Sequence, residues 1–351
     1  MSALVTGFPG FIGRRLVRRL VDDGERVIAL VEKKMVDTAR SVGGERMEVI
    51  GGDIAERHLG LDDDTWRRLT GEVTHVFHLA AIYDLAVPVE IAQRVNVDGT
   101  GNVLELCRAA PNLERLAYVS TAYVAGTRTG VVYEHELVMG QDFKNHYEST
   151  KFQAEVWVRE LMDRVPTTIV RPAIVVGDSR TGETEKFDGP YYILRTIAAA
   201  ERLHRPVVQF GRSAATFNVV PVDYVVAALA VAGRASETAG ETLHLVDPDP
   251  LTTRELVVML SREYAHREPR GRVPPRAVQR ALRFRAIREA FGGAPPESIA
   301  YLNHPVSFDT RRAVELLAPH DLRPPKFGDY VAPMVAFFRE HSDDESYSPR
   351  R

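Results

Sequence analysis

Near the start of the chain stands the stretch Thr6-Gly7-Phe8-Pro9-Gly10-Phe11-Ile12-Gly13, between a short apolar run, Ser2 to Val5, and a helical pattern, Phe11 to Val21. In a strand-turn-helix unit, the first glycine of such a stretch permits a tight turn, the second lets the backbone approach a phosphate, and the third lets the helix pack closely on the strand. The N-terminus of the helix then favours an anion. The stretch therefore predicts a site for a dinucleotide pyrophosphate, made by Gly7, Pro9, Gly10, Phe11, Ile12 and Gly13. The alternative is an ordinary strand-turn-helix that holds no ligand.

Short apolar runs alternate with helical patterns through the first half of the chain, as in a parallel sheet that is covered on both faces. After the first strand, we assign strands to Val27–Val31, Met47–Gly51, Val76–Leu79, Leu116–Ser120 and Thr168–Arg171. The predicted fold class is α/β: a Rossmann-type, doubly wound parallel sheet with a smaller C-terminal substrate-binding lobe.

The pattern loosens after Pro172, where a stretch rich in Gly, Asp and Thr, 177–189, precedes helical patterns near Tyr191–Glu201 and Tyr224–Gly233. We therefore assign residues 1–175 to a dinucleotide-binding domain, with segments near 215–247 returning to it. Residues 176–340 are assigned mainly to the substrate-binding lobe. The polar residues 341–351 are predicted to be a disordered tail.

Composition narrows the class of protein. The 351 residues carry a net charge of −3, which argues against a general nucleic-acid binder, and no apolar run is long enough to span a bilayer. The chain opens directly into a strand, and its only cysteine, Cys107, falls in a helical apolar pattern. We expect a cytoplasmic protein without disulfides. The histidines, among them His75, His78 and His146, lack metal-ligand spacing, so we expect no metal.

Polar and small residues follow the predicted strands, at the sheet edge where ligands of open α/β folds bind. Asp53 and the backbone amide of Ile54 follow the third strand and can hold an adenine. Small residues after the fourth strand leave room for the ribose and pyrophosphate: Leu79, Ala80 and Ala81. Ser120 and Thr121 end the fifth strand, which predicts hydroxyl groups where a reacting carbonyl would lie.

A tyrosine and a lysine four residues apart, Tyr147 and Lys151, share one face of a predicted helix. A nearby ammonium lowers the pKa of a phenol, so that the tyrosine can exchange a proton with a substrate oxygen near neutral pH. Lys151 can also hydrogen-bond the nicotinamide ribose. Alone, this spacing also fits a surface helix pair, but the glycine stretch and the strand-end hydroxyls favour an active site.

These motifs together resemble the extended short-chain dehydrogenase/reductase family. The matching residues are Thr6–Gly13, Gly52-Asp53, His78–Ala81, Asn96–Thr100, Ser120-Thr121, Tyr147, Lys151 and Arg171-Pro172. The resemblance implies that Thr121 orients the substrate oxygen, that Tyr147 is the acid/base, that Lys151 assists it, and that Asn96 supports the site. Ser120 could share the role of Thr121. Pro172 and Ile174 complete the cofactor contacts that it implies.

Two further stretches, Tyr118–Val124 and Pro221–Val226, resemble the fatty acyl-CoA reductase and thioester reductase branch, the male-sterility type. The resemblance implies hydride transfer to the carbonyl of an acyl thioester or aldehyde. Two other functions stay open. One is a sugar-nucleotide epimerase or dehydratase that retains NAD, and the other is a non-catalytic regulator that senses a dinucleotide.

The choice of cofactor depends on the residues after the second strand. Glu32 can accept a hydrogen bond from a ribose 2′-hydroxyl, whereas Lys33, Lys34 or Arg14 can attract a 2′-phosphate. The alternative is that all four are solvated surface charges. NADP(H) is favoured over NAD(H) because the acyl reductases of this branch use it.

Nine arginines crowd one segment, Arg262–Arg288, among apolar residues at helical spacing. Such a patch can meet an acidic carrier protein, a coenzyme A phosphate or a membrane surface, although a solvated helix face explains it equally simply. The expected substrate is a small molecule or a carrier-bound acyl group. The resemblance also implies a homodimer formed through the helices that carry Asn96 and Tyr147.

Overall fold

The computed structural model describes residues 1–44, 46–83, 87–210, 215–274, 277, 280, 281, 283, 284 and 298–347. Its strands are β1 (Ser2–Thr6), β2 (Arg26–Glu32), β3 (Met47–Gly52), β4 (His75–His78), β5 (Arg115–Val119), β6 (Gly130–Val132), β7 (Thr167–Pro172), β8 (Ile174–Val176), β9 (Gln209–Phe210), β10 (Val219–Pro221), β11 (Thr242–Leu245), β12 (Arg272–Val273) and β13 (Val306–Phe308). Its helices are α1 (Phe11–Asp22), α2 (Val36–Gly43), α3 (Asp63–Glu72), α4 (Val89–Ala92), α5 (Gly99–Ala109), α6 (His146–Glu160), α7 (Tyr191–Arg202), α8 (Val222–Ala232), α9 (Thr253–Ala265), α10 (Ser298–Tyr301), α11 (Arg311–Leu317) and α12 (Phe327–His341).

Seven strands form one parallel sheet in the order β11-β7-β5-β4-β1-β2-β3. Thr6, the last residue of β1, pairs with Leu30 on β2 and with His78 on β4. The strand order reverses between β1 and β4, and this reversal opens a crevice at the carboxyl ends of these two strands. The predicted α/β fold with a doubly wound sheet is confirmed, and each of the six assigned strands lies within a residue or two of its predicted bounds.

Helices cover both faces of the sheet. On one face, α1 and α8 pack against each other and on apolar side chains of the central strands. On the other face, α3, α5 and α6 cover residues such as Leu4, Ile28 and Tyr118, and Cys107 lies buried among them. The near-continuous apolar strands that the sequence shows are explained by this burial on both sides.

A separate apolar core lies among α7, α9 and α12, where Phe187, Tyr191 and Tyr330 are almost fully buried. The Tyr330 hydroxyl donates to the carbonyl oxygen of Val219 at 3.2 Å. Among the described residues, no helix combines the length and the apolar character that a bilayer crossing requires.

Two parts of the chain differ from the sequence-based assignment. The edge strand β11, Thr-Leu-His-Leu, is missing from that assignment, and its place in the sheet depends on its pairing with β7. The predicted disordered tail at 341–351 is wrong up to Tyr347, because α12 reaches His341 and the Tyr347 ring stacks on Phe187 at 5.0 Å between centroids. Residues 348–351 lie outside the described residues.

Candidate active site

The glycine turn after β1 has no room for side chains. Gly7 has φ +87°, and a Cβ on it would lie 2.8 Å from the amide nitrogen of Ala80. A Cβ on Gly13 would lie 2.5 Å from the carbonyl oxygen of Gly7, and one on Gly10 would lie 2.9 Å from the same oxygen. The turn is therefore closed around bare backbone, as the sequence predicts.

Helix α1 starts directly after this turn, with Gly10 at its N-cap and no side chain capping its first amides. The unpaired N–H groups of a first helical turn attract anions. Phe11 and Ile12 are the first residues of the helix, and Pro9 precedes its cap. This cradle of bare backbone and uncapped amides fits the pyrophosphate of a dinucleotide.

Replacing Gly13 by Ala should weaken dinucleotide binding. The added methyl group overlaps the Gly7 carbonyl, and overpacking of this kind costs about 1–3 kcal/mol. If the whole of this free-energy cost weakens cofactor binding, the Kd for NADPH or NADH rises by roughly 5- to 150-fold. Isothermal titration with each cofactor measures the change. Gly71→Ala, on α3 with open space at its Cβ, is the matched control, and an unchanged Kd for Gly13→Ala would contradict the assignment.

The end of β4 is tied to the glycine turn by backbone and hydroxyl hydrogen bonds. The amide of Leu79 donates to the carbonyl oxygen of Thr6 at 3.3 Å, and the amide of Ala80 donates to the Thr6 hydroxyl oxygen at 3.2 Å. Ala80 and Ala81 thus stand beside Gly7, where their small side chains keep the crevice open.

The end of β3 carries Asp53 and Ile54. The Asp53 carboxylate accepts from the amide of Ala55 at 2.9 Å and lies 3.6 Å from Arg94. The carbonyl oxygen of Ile54 accepts from Asn102 at 2.7 Å. The Asp53 side chain is 42% exposed, so its remaining lone pairs are accessible, and adenine recognition here stays a prediction.

Most of the residues predicted to determine the preference for NAD or NADP form ion pairs with each other or with a segment distant in the sequence. Glu32 and Lys34 form an exposed ion pair at 2.6 Å, and Lys33 is also exposed. Arg14 lies 2.7 Å from Glu185, in the segment that follows β8. Neither a ribose 2′-hydroxyl nor a 2′-phosphate is favoured by this arrangement.

Tyr147 and Thr121 meet at the carboxyl edge of the sheet. Tyr147 lies in the first turn of α6, half-buried, and the Thr121 side chain lies near enough to its hydroxyl to oppose the rise in the Tyr147 pKa that burial causes. Thr121 also contacts the carbonyl oxygen of Pro172 at 3.5 Å. The two hydroxyl groups that the sequence assigns to one carbonyl are therefore neighbours.

The expected lowering of the Tyr147 pKa is not found in the structure. Burial raises the pKa of Tyr147 to about 12, and the nearby Thr121 side chain opposes this only in part. Lys151 points elsewhere: its Nζ donates to the Tyr118 hydroxyl at 2.9 Å and to the carbonyl oxygen of Val119 at 2.7 Å. Burial lowers the pKa of Lys151 to about 7.

Ser120 does not lie at the rim that its sequence position predicts. Its hydroxyl donates to Glu155 Oε2 at 2.6 Å, and its side chain is 2% exposed. The Glu155 carboxylate in turn accepts hydrogen bonds from Arg171 at 2.6 Å and from Arg159 at 3.1 Å. Consecutive strand residues point to opposite faces, so Ser120 joins this buried ion network while Thr121 faces Tyr147.

Asn96 lies in a π-helical turn, Gln93–Asp98, between α4 and α5. Its side-chain oxygen accepts from the amide of Ile82 at 2.8 Å, and its amide nitrogen donates to the carbonyl oxygen of Ile82 and to the Thr150 hydroxyl, both at 3.0 Å. Asn96 therefore joins the segment after β4 to α6, one turn from Tyr147.

Pro172 and Ile174 lie on the far side of Thr121, at the end of β7 and the start of β8. Ile174 is partly exposed, and Gly189 approaches it so closely that a Cβ on Gly189 would lie 2.8 Å from Ile174 Cγ2. Sequence reasoning missed one residue of this region, Tyr118, since a tyrosine inside a buried strand gives no sign of what its hydroxyl contacts.

The fold and these residues define a class, the extended short-chain dehydrogenase/reductases that use a nicotinamide dinucleotide. The chain belongs to the NAD-binding family described as male sterility protein, whose family model matches residues 5–229. The predicted family is confirmed, and with it the predicted NAD-binding fold.

Three known proteins illustrate the similarity. The isonitrile lipopeptide synthase of Mycobacterium tuberculosis is 28% identical over 290 residues, covering 70% of this chain and 11% of that protein. The carboxylic acid reductase of Mycobacterium marinum is 24% identical over 287 residues, covering 70% of this chain and 24% of that protein. A solved structure, the terminal R domain from the myxalamid PKS-NRPS biosynthetic pathway, matches with a TM-score of 0.80 and 25% identity over 97% of this chain and 91% of that domain. The chain thus spans less than a quarter of either curated relative.

Proposed function

We propose that this chain reduces the carbonyl of an acyl thioester or an aldehyde with NAD(P)H, and that Tyr147 donates the proton. The observation that carries the proposal is the placement of Thr121 near the Tyr147 hydroxyl, with Lys151 on the next turn of α6. The names of the relatives, a carboxylic acid reductase and a lipopeptide synthase among them, support an acyl substrate.

The chain's own residues then have separate tasks. The glycine turn and the uncapped start of α1 would hold the pyrophosphate of a nicotinamide dinucleotide, which when bound would supply the hydride for the carbonyl carbon. The hydroxyl groups of Thr121 and Tyr147 donate to the carbonyl oxygen as negative charge develops on it. Tyr147 releases its proton to that oxygen.

The resting protonation of Tyr147 suits the direction of reduction. A phenol whose pKa is raised to about 12 by burial keeps its proton at neutral pH, so it is ready to donate. For a thioester, proton and hydride addition gives a hemithioacetal, whose carbon-sulfur bond then breaks to release an aldehyde and a thiol. We propose NADPH as the donor, because the acyl reductases of this branch use it.

One assay separates the functions that the sequence leaves open. Purified protein is offered NADPH or NADH with an acyl-CoA, a carrier-bound acyl thioester and the matching aldehyde, while nicotinamide absorbance is followed. Oxidation with a thioester supports the proposal. Oxidation with the aldehyde alone restricts the activity to carbonyl reduction, and tightly retained NAD with no turnover points to an epimerase.

We also propose that an acidic carrier protein delivers the acyl group to a basic surface formed by residues 202–205 and 267–272. These segments lie side by side, because Arg267 donates to the carbonyl oxygen of Arg205 at 3.1 Å and β12 pairs with β9. Their exposed arginines are Arg202, Arg205, Arg270 and Arg272, and Leu203 is 66% exposed among them. The other arginines of the segment seen in the sequence include Arg276, Arg285 and Arg288, which lie outside the described residues.

This surface connects to the site through α7. That helix starts at Tyr191, two residues after the Gly189 contact with Ile174, and ends at Arg202. Twelve helical residues span about 18 Å, so a flexible prosthetic arm is needed to bring an acyl group from the surface to Tyr147.

Charge reversal tests the carrier surface. In the double variant Arg202→Glu, Arg205→Glu, KM for a carrier-bound thioester should rise about tenfold at low salt, because the altered charges repel an acidic partner. The kcat and the kinetics with a free aldehyde should not change. Arg67→Glu, an exposed arginine on α3, is the control, and an equal KM for the double variant and this control would refute the surface.

A further inference from the structure

Lys151 contacts a hydroxyl group and a carbonyl group inside the protein. Its Nζ lies 2.9 Å from the Tyr118 hydroxyl, 2.7 Å from the carbonyl oxygen of Val119, and 4.4 Å from the centroid of the Tyr118 ring. Tyr118 is 0% exposed and Lys151 is 2% exposed. An ammonium group has three donors, and these two acceptors fix the direction of two of them.

The Tyr118 side chain lies beside a buried hydrogen-bonded group that reaches the glycine turn. Thr100 is near enough to lower the pKa of Tyr118 against the effect of burial, and Thr100 Oγ1 lies 3.1 Å from Nε2 of His78. The other ring nitrogen of His78 lies 2.7 Å from Thr6 Oγ1, the oxygen that also accepts from the amide of Ala80. The sequence shows none of these contacts, which join β1, β4, β5, α5 and α6.

The hydrogens of this group have one consistent arrangement. The Thr100 hydroxyl donates to the carbonyl oxygen of Asn96 at 2.6 Å, so its oxygen can only accept from its other neighbours. His78 therefore carries its hydrogen on Nε2 and accepts from Thr6 at Nδ1. Burial and the nearby Lys151 ammonium lower the pKa of His78 to about 3, which agrees with a neutral ring.

The Tyr118 hydroxyl accepts a hydrogen bond from the Lys151 ammonium at 2.9 Å, so what it offers the lysine is a lone pair. We propose that Tyr118 is a positioning residue for Lys151, which holds the lysine at the carboxyl end of β5 and keeps it in its ammonium form. The inference deepens the proposed function, since it concerns the lysine that assists Tyr147.

The titratable groups around Lys151 are few. His78 faces it from β4, Tyr118 from β5, and Glu155 and Tyr147 come from its own helix, α6. Burial lowers the pKa of Lys151 to about 7, while Glu155 opposes the shift. Because the lysine titrates near neutral pH, loss of one acceptor changes how much of it is protonated under working conditions.

The test uses Tyr118→Phe and the small number of lysines, since the chain has only Lys33, Lys34, Lys144, Lys151, Lys186 and Lys326. Protein labelled with 13C at lysine Cε gives six signals, and Lys151→Arg identifies the one from Lys151. In Tyr118→Phe without cofactor, the titration midpoint of that signal should fall by about one pH unit, as expected for the loss of one hydrogen bond to a charged group. Tyr330→Phe also removes a buried hydroxyl but lies in the other core, and its midpoint should match that of the unmodified protein.

A second variant covers the case in which Tyr118→Phe does not fold. Tyr118→Met also removes the hydroxyl acceptor, with a flexible apolar side chain that can fill the space of the ring, and the midpoint should again fall. An unchanged midpoint in the folded variant overturns the inference.

Activity gives an independent readout. In Tyr118→Phe, the alkaline limb of the kcat profile should move to lower pH by the same amount, with KM unchanged. If the protein reduces none of the offered carbonyls while the Lys151 midpoint still falls, the proposed function fails and the positioning role stands. If turnover is present and neither the midpoint nor the profile moves, the positioning role fails alone.

Discussion

Replacement of Tyr147 by Phe should lower kcat for carbonyl reduction by roughly 10²- to 10⁴-fold, the usual contribution of a positioned general acid. The substitution removes the proton that the substrate oxygen receives, and it removes one of two hydroxyl donors to the developing charge. The ring stays, so the half-buried packing of the side chain is kept. Cofactor affinity should therefore change little, because the glycine turn and the start of α1 are untouched.

Two measurements separate this expectation from a loss of folding. Stopped-flow absorbance with NADPH and an aldehyde gives kcat, and fluorescence titration of NADPH gives the Kd. Tyr83→Phe is the matched control, since Tyr83 lies close enough to influence the charge on Tyr147 but is 53% exposed. Full turnover by Tyr147→Phe would show that Tyr147 does not donate the proton. Thr121 or an ordered water would then be the group to test as the donor.

Substitution of Arg171 by Met should destabilise the protein by about 3–5 kcal/mol, because it leaves the carboxylate of Glu155 buried without its main partner. Arg171 is 0% exposed and contacts both carboxylate oxygens of Glu155 at 2.6–3.1 Å. Burial by itself raises the pKa of Glu155, but Arg171, Arg159 and Ser120 outweigh it and hold the pKa below its ordinary value. The stabilisation is therefore present above the unfolded-state pKa and is lost as the pH falls through the lower folded-state value.

Urea unfolding at pH 7 and at pH 4 measures both effects. The double variant Glu155→Met, Arg171→Met should recover part of the stability, since it removes the buried unpaired carboxylate, while Arg159 keeps the carbonyl oxygens of His135 and Glu134 as acceptors. Arg67→Ala breaks an exposed pair with Asp64 and an exposed hydrogen bond to the carbonyl oxygen of Asp63, and it should change stability by less than about 0.5 kcal/mol. A loss of that small size for Arg171→Met would mean that water reaches Glu155 in solution.

Most of the fold could be predicted from local sequence patterns. The glycine stretch could be interpreted without knowing what packs on it, because the lack of a side chain is a property of Gly7, Gly10 and Gly13 themselves. The structure places each of these glycines against another backbone atom. The helical spacing of Tyr147 and Lys151 was equally local. Strand β11 could not be found in this way, since its assignment depends on pairing with β7, some 75 residues earlier in the chain, and not on its own four residues.

The site was harder to predict wherever a side chain had a choice of partner. Strand alternation shows that Ser120 and Thr121 face opposite ways, but only the position of Glu155 on α6 decides which one is left for the site. Lys151 shares a helix face with Tyr147, yet the structure turns its ammonium to Tyr118 and Val119. The sequence also cannot show burial, which is the largest cause of the raised Tyr147 pKa.

Because β11 lies at the edge of the sheet but late in the chain, the sheet can be completed only late in synthesis. Strand β11 pairs with β7 only after the whole segment 173–241 has been made, and α8, which packs on α1, lies in that segment. A nascent chain released at residue 175 would leave the hydrogen-bonding edge of β7 open and the apolar face of α1 bare, and such edges promote association between chains. Fragments cut at that position are thus expected to aggregate, and the nucleotide-binding half of this protein cannot mature ahead of the residues that follow it.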